Sequence, residues 1–131
     1  MPSKSSPGDP ANSKSEAERL LPLTPAMFHV LLALADSDKH GYAIMKEVAR
    51  ATAGEVTLSA GTLYAMLRRL VLADMVIEKD ERPTPELDDQ RRRYYRLTGF
   101  GREVARAEAK RLAEMLDLAH AKQLFKKPAS A

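Results

Sequence analysis

The 131-residue sequence has no cysteine. That excludes disulfides and thiolate chemistry and would leave a zinc site without its usual sulfur ligands. No apolar run is long enough to cross a bilayer, and the N-terminus lacks the basic-then-apolar pattern of a secretory signal. The location expected from these absences is the cytoplasm, with no membrane partner. None of the six glycines forms a phosphate-cradling loop, and His29, His40 and His120 sit on separate stretches with no ligand spacing. His29 reads as a core or boundary residue and His40 as a turn residue. The chain is therefore not read as an enzyme, and no metal or cofactor is expected. Its length suits one small domain with a single core. A net charge of +3 and a pI near 9.3 favour a nucleic-acid partner only weakly, so the placement of the charges matters more than their sum.

One more absence is local. From Ser59 to Leu70 there is no carboxylate at all. Read as a helix capped by Ser59, this stretch puts Leu63, Met66, Leu67 and Leu70 on one buried face. The opposite face carries Gly61, Ala65 and Arg68, flanked by Tyr64 on one side and by Thr62 and Arg69 on the other. It is small, polar and basic, where a helix that only had to be soluble would usually mix Glu with Lys. Small residues allow close approach of another surface, and Thr, Tyr and Arg bind phosphates and base edges. The pattern fits a recognition helix for the DNA major groove; the plainer alternative is a core helix with a sparsely charged outer face.

The remaining elements are arranged around that helix. Residues 1–15 are rich in Ser, Pro and Lys and read as a disordered tail, with a short helical stretch near Glu16–Leu21. Thr24 followed by Pro25 is a strong helix start, with Met27, Val30, Leu31 and Leu34 at helical spacing. A second helix begins at His40 or Gly41 and stops near Gly54, and residues 55–58 form a connector or brief strand. After the recognition helix, Asp74 takes a left-handed turn. Met75–Lys79 and Arg91–Leu97 then read as two strands joined by a polar loop. Helices followed by such a hairpin make a winged helix-turn-helix, mainly α with a small β-wing, over residues 16–97. Thr98 caps a long last helix over residues 98–124, and residues 125–131 fray. In that helix Ala105, Ala109, Leu112, Leu116 and Ala119 repeat at four and three, close to a coiled-coil seam, with Met115 beside it. This points to dimerisation through the same helix of a second chain, the alternative being packing on the first helix of its own chain.

Three segments carry a resemblance. His40-Gly41-Tyr42-Ala43-Ile44, then Gly61-Thr62-Leu63-Tyr64 followed by Leu67 and Leu70, then Arg93-Tyr94-Tyr95-Arg96-Leu97-Thr98 with Gly101-Arg102, resemble the PadR-like transcriptional regulators. The similarity runs from about Leu23 to Leu116 and fits the branch with a single helix after the wing. Two departures are Ala65, where relatives often have proline, and Asp74, where they usually have glycine. The resemblance implies a homodimeric DNA-binding protein, usually a repressor, acting on a palindromic operator.

In such an arrangement Ser59, Gly61 and Thr62 stand at the recognition-helix N-terminus, where amides and hydroxyls meet a phosphate or base edge. Tyr64 is either a phosphate donor or a ring bracing the second helix. Arg68 reaches a phosphate or a guanine, and Arg69 the backbone. Tyr42 and Lys46 hold flanking phosphates, with Tyr42 equally readable as core. Arg92 and Arg93 of the wing bind phosphate, although Glu86, Asp88 and Asp89 lie just before them. A small-molecule effector of unspecified identity would fit the cleft between the long and first helices, lined by Met27, Leu112 and Met115. The rival function is a winged helix that binds protein, as an interaction or dimerisation module without DNA.

Overall fold

The computed structural model describes residues 14–79 and 93–126. After a 3₁₀ turn at Glu18–Leu20 come α1 (Pro25–Leu34), β1 (Lys39–His40), α2 (Gly41–Ala51) and α3 (Ala60–Leu72). The hairpin strands β2 (Val76–Lys79) and β3 (Tyr94–Leu97) follow, and the last helix is α4 (Gly99–Ala121). Residues 1–13 of the tail expected over 1–15, residues 127–131 of the one expected over 125–131, and the wing loop with Glu86, Asp88, Asp89, Arg91 and Arg92 lie outside the described residues.

Helix starts follow the capping residues. The Thr24 hydroxyl accepts from the Met27 amide at 3.1 Å, with Pro25 in the first turn. Ser59 accepts from Thr62 at 3.1 Å, and Thr98 from Gly101 at 2.9 Å. His40 caps α2 through its ring, Nδ1 accepting from Ala43 at 3.3 Å. Each satisfies an amide that the helix leaves unpaired. At the end of α3, Asp74 has φ 63°, while the Met75 amide donates to Leu70 and that of Asp74 to Val71. This is a Schellman closure, with Met75 and Leu70 both buried as its apolar pair. Asp74→Gly, which removes the Cβ from a left-handed residue, is expected to raise stability by roughly 0.5–1 kcal/mol in a denaturant titration. The stop after α2 also differs in detail from the sequence reading, since Ala53 (φ 52°) as well as Gly54 (φ 83°) turns left-handed.

The sheet has the order β1-β3-β2, all antiparallel. β1 is an addition to the expected two-stranded wing: Lys39 pairs with Tyr95 and His40 with Tyr94. Residues 55–58 form no strand. The core gathers Val30, Leu31 and Leu34 of α1, Ile44 and Val48 of α2, and the predicted stripe Leu63, Met66, Leu67 and Leu70 of α3. Val76, Tyr95, Leu97 and Val104 close it from the hairpin and α4.

Only the first turns of α4 belong to this core. Ala105, which periodicity placed on the intersubunit seam, packs half-buried against its own chain, because the start of α4 lies on the core. A heptad pattern does not distinguish a chain's own core from a partner's. Beyond it, Ala109, Leu112, Met115 and Leu116 are exposed, and Ala119 is partly covered. One turn after Ala105, Glu108 is only 2% exposed. Its carboxylate accepts from Arg111 at 2.7 and 2.9 Å and from the Leu23 amide at 3.2 Å, tying α4 to the entrance of α1. The Arg111 hydrogen bonds hold the Glu108 carboxyl below its ordinary value of 4.5. A depressed folded value contributes stability above the unfolded value, and that contribution fades as pH falls through the folded one. Glu108→Gln is therefore expected to lower stability at neutral pH and to flatten its loss as pH falls below the ordinary carboxyl value of 4.5. The profile is not fully flat, because Asp36 and Asp38 are also held low by Lys39 and Arg96. Thermal melts across that range read the difference.

Candidate nucleic-acid interface

The outer face of α3 is open. Gly61, Thr62, Ala65, Arg68 and Arg69 are all exposed, along with the cap Ser59. The Ser59 hydroxyl accepts from the Thr62 amide and donates to the Thr62 hydroxyl at 3.0 Å, so the capping residues hold each other in register. Among the described residues, neither Arg68 nor Arg69 has an ion pair.

Tyr64 stands at the side of this face, half-buried. Its hydroxyl lies over Gly41, where any Cβ would overlap it, and its ring centroid is 6.5 Å from that of Tyr95. That is the bracing geometry: the ring spaces α3 from the first residue of α2, and Gly41 is glycine because the phenol occupies the room a methyl would need. Tyr42 is the reverse case. It is 61% exposed, which rules out the core placement, and its ring stacks on His40 while Lys46 Nζ sits 5.4 Å from its centroid. Tyr42 and Lys46 thus form one exposed polar pair on α2.

The hairpin cations are held differently. Arg93 Nη1 donates to Glu78 Oε2 at 2.6 Å. Arg96 meets Asp38 with bonds of 3.0 and 3.2 Å, and Lys79 lies 3.7 Å from the same carboxylate. These hydrogen bonds from Arg96, helped by Lys79, hold Asp38 below the usual carboxylate range. Glu78 sits opposite Tyr95 on the hairpin face that looks toward α3. Burial, with the Glu78 charge adding to it, pushes the Tyr95 phenol up to about 12, so it stays protonated. The pairing of wing cations with Glu78 and Asp38 was not read from the sequence. Arg93 with Glu78 and Arg96 with Asp38 are 15 and 58 residues apart, and only the strand register brings them together.

The cleft between α1 and α4 is present as a cavity of about 350 Å³, lined by Leu23, Phe28, His29, Leu32, Glu108 and Leu112 among others. Leu112 lines it as expected, but Met27 and Met115 do not: Met27 turns to the core and Met115 is exposed a turn further along α4. Among the described residues no cluster could hold a metal ion, and no helix is long and apolar enough to cross a membrane.

Three helices with a capped, carboxylate-free third, followed by a hairpin packed beside it, define a winged helix-turn-helix protein. Residues 30–107, more than half of the chain, match the Transcriptional regulator PadR-like family, and the chain belongs to that family. It is a family of transcriptional regulators, not of enzymes. Similar solved structures include a PadR family transcription regulator from Clostridium difficile R20291, at 19% identity and TM-score 0.61, covering 75% of this chain and 97% of that one. A transcriptional regulator from Clostridium thermocellum is 22% identical at TM-score 0.60, covering 73% and 87%. Bacillus subtilis PadR, solved in complex with operator DNA, is 15% identical at TM-score 0.55, covering 83% of this chain and 52% of that one. At these identities the likeness establishes the fold.

Proposed function

We propose that this protein binds double-stranded DNA as a homodimer and represses transcription in the cytoplasm from an inverted-repeat operator. The observation that carries the reading is the exposed face of α3, with small residues around two arginines that have no ion pair among the described residues. Such a surface can enter the major groove without facing its own negative charge, while Tyr42, Lys46 and the cap at Ser59 and Thr62 take flanking phosphates. Arg93, and Arg92 outside the described residues, serve the wing's phosphate contacts. Arg93 exchanges Glu78 for a phosphate on binding. The complex of the Bacillus subtilis relative with operator DNA supports the assignment by family.

The dimer rests on α4. Past Glu108, Leu112, Met115 and Leu116 expose a contiguous apolar stripe on the half of the helix that leaves the domain, which marks an interaction surface. A two-fold pairing there spaces the two α3 helices by about one DNA turn, roughly 34 Å. A small-molecule effector would act on this arrangement. Fluorescence anisotropy with the duplex upstream of the protein's own coding region, together with light scattering for mass, tests both parts. Specific retention of that duplex by a dimer is expected; a monomer, or equal binding to any sequence, defeats the proposal.

A further inference from the structure

One residue of α3 is not explained by contact with DNA. Leu72, at the helix end, is 77% exposed and lies four residues beyond Arg68, hence on the same side of the helix. Between this edge of α3 and the hairpin is a cavity of about 510 Å³, within the range of small-molecule sites. Leu67, Val71 and Leu72 form its apolar wall, with Tyr64 and Tyr95 beside them. Arg68 and the Glu78–Arg93 pair complete the lining. Glu78 already answers Arg93, so the cleft is left with an apolar wall and the charge of Arg68, which has no ion pair among the described residues. A surface built only for phosphates has no use for an exposed leucine next to its cation.

We propose that this cleft binds an amphiphilic organic monoanion, its carboxylate or sulfonate on the Arg68 guanidinium and its hydrocarbon body over Val71 and Leu72. Guanidinium suits the anion because it pairs with such groups through two parallel N–H donors. Arg68 is also the residue that the DNA-binding reading sends into the groove, and on that reading the anion and the duplex exclude each other. The site is thus an induction site at the DNA face, separate from the α1–α4 cavity.

The probe for the test is anilinonaphthalene sulfonate, an aromatic monoanion whose emission rises in apolar surroundings, titrated into the full chain. Saturable binding is expected, weakened about tenfold or more by Arg68→Gln and by Leu72→Gln, with circular dichroism unchanged since both residues are exposed. No saturable binding overturns the site. So does binding that both variants leave intact while Phe28→Ala, in the α1–α4 cavity, removes it. Release of the probe by the duplex supports the competition, and simultaneous binding overturns it. Failure of the two readings is distinguishable. Probe binding through Arg68 and Leu72 without any DNA binding keeps the site and defeats the DNA function, whereas DNA binding without probe binding does the reverse.

Discussion

Arg68→Ala is expected to weaken binding to the operator duplex by roughly ten- to a hundredfold, about 1–3 kcal/mol. Arg68 is exposed on the outer α3 face, with the small residues Gly61 and Ala65 on its N-terminal side leaving room for a duplex to approach. It has no ion pair among the described residues to give up on binding, whereas Arg93 is held by Glu78. Removing a freely available cation should also lower the slope of log affinity against log salt by about one. Anisotropy titrations at several salt concentrations read both quantities. If Arg68 reads a guanine, the loss falls on the operator and spares random DNA; if it holds a phosphate, both weaken alike. Unchanged affinity for both would remove α3 from the interface.

The largest expected effect on stability is at Gly101. This glycine is buried in the first turn of α4, and a Cβ there would overlap the main-chain carbonyl of Met75. A flexible side chain can move aside, but Met75 cannot. Its carbonyl accepts from the Thr98 amide at 3.0 Å, and its own amide closes the end of α3. Gly101→Ala is therefore expected to cost roughly 3 kcal/mol, the upper end of ordinary overpacking. For a domain of this size that lowers the melting temperature by more than about 10 °C. A thermal melt checks it directly. Gly99→Ala two residues earlier, where a Cβ meets nothing, should be harmless by comparison.

Features that depend on neighbours in the chain were legible from the sequence. Thr24, Ser59 and Thr98 each cap an amide three residues on, and the left-handed turn at Asp74 follows from a helix ending just before a strand. The buried stripe of α3 is periodic and was equally plain. Features set by distant partners were not. β1 is two residues long and exists because Tyr94 and Tyr95, more than fifty positions later, run beside it. Glu108 looks like one more charge on a charged helix, and becomes buried only because the Leu23 amide and Arg111 supply donors. Tyr64 could be a phosphate ligand or a brace from its position alone; the missing side chain at Gly41 is what seats it. The site was therefore readable as a helix face, while the carboxylates set against the wing cations emerged from the register.

The seam where the Thr98 hydroxyl donates to the Asp74 carbonyl at 2.6 Å, with Gly101 pressed beneath Met75, has a mechanical consequence. It ties the C-terminal end of α3 directly to the first turn of α4. The carbonyls of Asp74 and Met75 are thereby shared between the end of one helix and the start of the other, each accepting from Thr98.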